Sequence, residues 1–185
     1  LPRHANDRLP ADPCGRAVAL ADRLDSLIGI FAIGQRPTGV KDPYGLRRAA
    51  IAVLRILIET PLTLDLHALL RRAADEYRGA IDTDDSVDAV FAYAMERING
   101  YFGERGSAGD SVAAVLAVGS TIPSDIARRI AAVEAFRALP EAASLAAANK
   151  RIRNILRKAA PEDVGASVMP EQLQQQSERG LAGAM

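Results

Sequence analysis

The sequence predicts an all-α fold, a helical bundle without strands. Three observations carry this expectation. Much of the 49% hydrophobic fraction is alanine, and aromatics make up only 4% of the chain; alanine is the strongest helix former, whereas strands favour β-branched and aromatic residues. Apolar residues recur with a period of about 3.6 through most of the chain, the spacing of a one-sided helix. Prolines and glycines interrupt that pattern at helix-length intervals, often beside an aspartate suited to capping.

Residues 1–11 are polar and irregular. Asp12-Pro13 reads as an N-cap followed by proline at the first helical position. The first helix should run to about Ile33, with Leu20, Leu24, Leu27, Ile28 and Phe31 facing a core, and should end at Gly34. The loop GQRPTGVKD follows; Gly34 and Gly39 can take positive φ and Pro37 fixes its own. Asp42-Pro43 repeats the capping start. The second helix, Tyr44 to about Glu59, buries Leu46, Ala50, Val53, Leu54, Leu57 and Ile58. Ile51 and Ile56 widen its apolar arc, which places this helix at the centre of the bundle.

Pro61 breaks the pattern, and a third helix over about 64–79 carries Leu66, Leu69, Leu70, Ala73 and Tyr77. The stretch GAIDTDDS, 79–86, is acidic and turn-rich, and we place a domain boundary there. This gives domains over 1–80 and 81–160 and a partly ordered tail over 161–185. Asp85 should cap a helix over about 86–103, with Val87, Val90, Phe91, Ala94, Ile98 and Phe102 inward. A short helix over about 109–118 uses Val112, Val115 and Leu116. Another, about 123–138, turns Ile126, Ile130, Val133 and Phe136 inward, and Pro140-Glu141 opens the next, about 140–159. Beyond Pro161 the periodicity fades, with a weak helical signal over 170–180.

At 185 residues the chain can form one large domain or two small ones. Lys+Arg and Asp+Glu are both 23, so net charge supplies no global attraction to nucleic acid. Local patches must carry any such argument. Cys14 is alone, which excludes an internal disulfide, fits a reducing compartment and suggests a small, buried or half-buried side chain near a helix start. No apolar run reaches transmembrane length and no signal peptide opens the chain, so we expect a cytoplasmic protein. A start at Leu1 without methionine suggests a piece of something longer.

Two cationic segments stand out. On the helix over 140–159, Leu145, Ala148, Ile152, Ile155, Leu156 and Ala159 gather on one side. Lys150, Arg151, Arg153, Arg157 and Lys158 fill the other with Asn149 and Asn154, and no acid lies between Glu141 and Glu162. Such a field suits a phosphate backbone; it also fits a solvated face near a helix C-terminus. The second segment comprises Arg36, Lys41, Arg47 and Arg48, where the amides of a helix start would favour an anion. These arginines could equally pair with Asp22, Asp25 or Asp42 and hold the helical hairpin. The acids form no convincing site, His4 and His67 lack metal-ligand spacing, and no GxxxxGK[ST], GxSxG or CxxC motif is present. We assign no catalytic and no metal-binding residue.

The segment LADRLDSLIGIFAIGQRPTGVKDPYGLRRAAIAVLRILIE, Leu20 to Glu59, resembles the HD-like helical domain of the beta subunit of bacterial-type glycyl-tRNA synthetase. VEAFRALPEAASLAAANKRIRNILRKA, Val133 to Ala159, is similar to the start of the same subunit's anticodon-binding domain, a DALR-like helical bundle. The resemblance covers about residues 8–160. It implies the C-terminal part of the first domain followed by the N-terminal part of the second. It also implies a heterotetramer of two alpha and two beta chains that joins glycine to tRNA(Gly). In that family ATP and Mg are used on the alpha subunit, so this stretch would need no cofactor and would recognise tRNA through Lys150, Arg151, Arg153, Asn154, Arg157 and Lys158, with Arg36, Lys41, Arg47 and Arg48. HD hydrolases bind metal through an H…HD…D pattern; Asp22 matches the final aspartate, but the histidine positions precede Leu1, so hydrolase activity is not supported. A bundle that stops at a polar tail would leave an apolar face to be covered by self-association. The alternative is a helical structural or protein-interaction module without enzymatic activity.

Overall fold

The computed structural model describes residues 8–38, 41–158 and 175–183. Among them every regular element is a helix: α1 (Pro13–Ala32), α2 (Leu46–Glu59), α3 (Leu66–Asp75), α4 (Ser86–Gly103), α5 (Gly109–Leu116), α6 (Pro123–Arg137), α7 (Ala142–Leu156) and α8 (Gln176–Gly183). The chain divides into two compact units, Leu1–Phe136 and Arg137–Met185.

In the first unit, α1 begins where Asp12 accepts the Gly15 amide at 2.7 Å and Pro13 takes the first turn. It ends at Gly34, whose φ of 75° and amide bond to the Phe31 carbonyl close the last turn. Its buried stripe is Ala19, Leu20, Leu24, Leu27, Ile28 and Phe31, joined by Arg23, which is 8% exposed and donates to the Ala19 carbonyl. α2 is the most enclosed helix: Leu46, Ala50, Val53, Leu54, Ile56 and Leu57 are all at most 1% exposed. It packs on α1 and α4, and α3 packs on both of those partners. Ile98 of α4, Val112 and Val115 of α5, and Ile126 and Ile130 of α6 complete one continuous core.

The turn-rich segment 79–86 lies inside this unit, because α4 buries its apolar stripe against α1, α2 and α3. The compact division falls at 136/137. Four further expectations are corrected. α3 is shorter than the predicted 64–79, since Asp65 caps it and the chain turns after Asp75. Asp85 precedes α4 without a side-chain capping bond. Phe136 is 44% exposed, and Cys14 is exposed because it sits on the solvent side of the first turn of α1.

In the second unit, α7 spans Ala142–Leu156 and only Ala142 on it is buried. Leu145, Ile152, Ile155 and Leu156 are each about half exposed. The predicted apolar stripe exists as a pattern, then, but no described residue covers it. The weak helical signal in the tail corresponds to α8, while Ala159 and residues 160–174 lie outside the described residues. So do His4 and Gly39.

Candidate nucleic-acid interface

α7 brings its cations together as the spacing requires. Asn149, Lys150, Arg153, Asn154 and Arg157 line an open hollow of about 680 Å³ together with Ala146 and Leu156. Arg157 donates to the Asn154 side-chain oxygen at 3.3 Å, which ties one guanidinium to the hollow. Arg151 and Lys158 are outside that lining, and helical geometry at about 100° per residue sets them between it and the apolar stripe. Four of the six predicted residues on this helix therefore share one surface and two flank it.

Among the described residues, Lys150, Arg151, Arg153, Arg157 and Lys158 have no carboxylate within ion-pair distance, whereas arginines of the first unit are commonly paired. Arg55 meets Glu59 at 2.8 Å, Arg78 meets Asp75 at 2.6 Å, Arg97 meets Glu96 at 2.8 Å and Arg129 meets Asp125 at 2.6 Å. These partners matter electrostatically: the Arg129 guanidinium holds the Asp125 carboxyl below the usual carboxylate range, and Arg55 does the same for Glu59. Among the described residues, α7 has no such neutralisation.

The second cationic segment is built differently from its expectation. The Asp42 carboxylate accepts the Leu46 amide at 2.8 Å and the Arg47 amide at 3.1 Å. The start of α2 is thereby filled by the chain's own anion and is not open to another. Gly45 takes φ 67°, a left-handed conformation that lets Asp42 reach back to these amides. Arg48 is exposed and lies across Gly45, its guanidinium nitrogen 2.8 Å from where a Cβ would stand. Arg36 is exposed with its guanidinium 5.5 Å from the Phe31 ring centre, and Lys41 pairs its backbone with Thr38. Arg47 is half-buried; burial pushes the Tyr93 hydroxyl of α4 up, with the charges of Asp42 and Arg47 as lesser influences of opposite sign. Arg36, Lys41 and Arg48 are thus exposed at the junction and Arg47 is half-buried.

Two features escaped the sequence reading. α4 carries Tyr93 under Arg97 at 3.6 Å and Tyr101 under Arg105 at 3.7 Å, a Y-x-x-x-R pattern repeated eight residues on. The repeat was visible, but its coupling to α2 was not. Glu59 accepts from Arg55, from Arg105 at 3.0 Å and from Tyr101 at 3.0 Å, and desolvation with the nearby carboxylate pushes the Tyr101 hydroxyl up to about 12. The cluster shares one carboxylate between two guanidiniums and a hydroxyl and joins α2 to α4. His67, the second feature, lies 2.7 Å from Asp88 and edge-on to Phe91. Among the described residues no group of three or more His, Cys, Asp or Glu side chains is placed to hold a metal ion. No described helix is long and apolar enough to cross a membrane.

Among the described residues, fold and charge layout define a class: an all-helical module in which many arginines of the first unit are ion-paired, while the cations on and just after α7 are not. The chain belongs to the glycyl-tRNA synthetase beta subunit family, whose profile matches residues 1–117. It is similar to glycine–tRNA ligase beta subunits of Aromatoleum aromaticum (50% identity over 189 residues) and Chromohalobacter salexigens (49% over 185 residues), each match covering 100% of this chain. The corresponding protein of Methylobacillus flagellatus is 45% identical over 184 residues, again across 100% of this chain. The chain spans about a quarter of these relatives, 26% or 27% of each.

Proposed function

We propose that this chain is the tRNA-recognition portion of a glycine–tRNA ligase beta subunit. It would act in the cytoplasm beside an alpha subunit that carries out ATP- and Mg-dependent glycine activation, and would need no cofactor of its own. The first unit fits the C-terminal part of an HD-like helical domain, and α7 fits the opening of an anticodon-binding bundle. One observation carries the reading: among the described residues, the five cations on and just after α7 meet no acid, while many of the first unit's arginines are paired with acids. Unpaired cations on a helix face attract a phosphate backbone and displace its counterions on binding. Phosphate contacts of this kind position an RNA and leave sequence reading to other groups.

The test is a titration with tRNA(Gly) and a non-cognate tRNA at two salt concentrations, repeated with Arg151→Glu/Arg153→Glu. Binding should weaken as salt rises. The double variant should bind more weakly and with a shallower salt dependence, the log–log slope falling by roughly one for each phosphate the variant no longer neutralises. Tighter binding to tRNA(Gly) than to the non-cognate tRNA would place specificity within these residues. An unchanged slope in the variant, or no binding by the wild type, would favour a helical protein-interaction module instead.

A further inference from the structure

The turn between the loop and α2 presents an aromatic ring that the fold does not use. Tyr44 is 53% exposed, whereas the other three tyrosines are anchored: Tyr77 donates to Asp25 at 2.8 Å, Tyr101 to Glu59 at 3.0 Å, and Tyr93 lies between Phe31 and Arg97. The backbone that carries Tyr44 is held from both sides. Asp42 accepts the Leu46 and Arg47 amides, its carbonyl accepts the Gly45 amide at 3.2 Å, and the Gly45 carbonyl accepts the Ala49 amide at 3.0 Å. The ring therefore projects from a rigid turn, so little ordering cost attends a contact made there.

Its surroundings are cationic. Arg48 lies over Gly45, the residue next to Tyr44, its guanidinium nitrogen 2.8 Å from where a Cβ would stand. Arg36 and Lys41 add charge from the same loop, and among the described residues neither they nor Arg48 reach an acid. The one carboxylate of the turn, Asp42, is committed to the helix amides. An exposed ring on the same short turn as an exposed arginine can receive a splayed nucleotide: the base stacks on the ring and the phosphate meets the cation. A duplex, whose bases are already stacked, cannot use the ring.

We infer that the 42–48 turn binds an unpaired RNA nucleotide, with Tyr44 stacking on the base and Arg48 meeting its phosphate. This rests on the RNA-handling role proposed above but assigns a second contact, on the other unit, with a different chemistry. The chain contains no tryptophan, so the tryptophan of a Tyr44→Trp variant is a single reporter. Titrated with an unstructured single-stranded RNA octamer, its fluorescence should be quenched. An RNA duplex with the same number of phosphates should quench it little at equal concentration. Tyr44→Ala should weaken octamer binding roughly tenfold, and Tyr44→Phe, which keeps the ring, should retain it. Octamer affinity unchanged by Tyr44→Ala, equal quenching by the duplex, or no octamer binding would overturn the inference. If the α7 charge reversal leaves tRNA binding intact while octamer quenching persists, the α7 reading fails and this one stands. If tRNA binding follows α7 while Tyr44→Ala matches wild type, only this inference fails.

Discussion

At Asp65 a single carboxylate joins two distant parts of the chain. One oxygen accepts the Ala68 amide at 2.9 Å and caps α3; the other accepts the Thr121 hydroxyl at 2.6 Å, while the Leu66 amide donates to the Thr121 carbonyl at 2.9 Å. The Thr121 hydrogen bond, with the capping amide, holds the Asp65 carboxyl below the usual carboxylate range. A carboxyl with a depressed folded value adds stability that is present above its unfolded value, about pH 4, and is lost as pH falls through the folded one. Asp65→Ala should cost about 1–2 kcal/mol at neutral pH, and the gap from wild type should narrow in thermal melts near pH 3. The cap at Asp65 belongs to a type the sequence displays at Asp12, but its bond to a residue 56 positions away is a tertiary fact. Arg23 is a similar case: its position on the apolar face of α1 is legible, yet its charge argues for solvent; the carbonyl of Ala19, the Asp22 carboxylate at 3.5 Å and the stem's burial hold it there.

Helices were the most legible scale, because a 3.6-residue stripe and a cap are both local signals. The stripes of α1, α2 and α4 sit where the periodicity places them, with Phe91 and Ile58 at the margin of the core and not within it. How closely two helices approach was less visible. Gly29 of α1 faces Tyr77, whose hydroxyl is 2.5 Å from where a Cβ would stand and which donates to Asp25 on the same helix. A lone glycine in a helix reads as a weak helix former; here it opens the space that Tyr77 fills. Burial and the Asp25 carboxylate push the Tyr77 hydroxyl up to about 12. Gly29→Ala should displace the ring and destabilise the protein by about 1–3 kcal/mol. A spectrophotometric titration should then show one tyrosine returning toward its ordinary range near 10. Retention of the high-pH step in the variant would mean that α1 and α3 separate without disturbing Tyr77.

At the scale of the whole molecule, the turn-rich stretch 79–86 and the compact division at 136/137 do not coincide. An acidic, turn-rich stretch reports where the backbone bends; a compact unit is decided by which faces are buried, and α4 buries its own on α1–α3. The second unit carries the opposite problem, a helix with an apolar stripe at Leu145, Ile152, Ile155 and Leu156 that stands about half exposed. Exposed apolar surface of this kind favours self-association, yet five cations on and just after the same helix meet no acid among the described residues, and two copies brought together repel. The two forces respond oppositely to salt. Screening shortens to about 10 Å at 0.1 M ionic strength and further above it, which relieves the repulsion while leaving apolar contact intact. Light scattering at tens of micromolar should therefore give a mass near the 19.7 kDa monomer at low salt and a larger mass as salt rises. Ile152→Glu/Ile155→Glu should hold it monomeric throughout, since that change removes the apolar contact and leaves every cation in place. RNA binding through the same helix should weaken over the same salt range, because there the cations are the attraction and not the obstacle. A mass that stays monomeric at all salt concentrations would show that the stripe is covered from within the chain. A mass that falls with salt would mean that charge, and not the apolar stripe, holds the copies together.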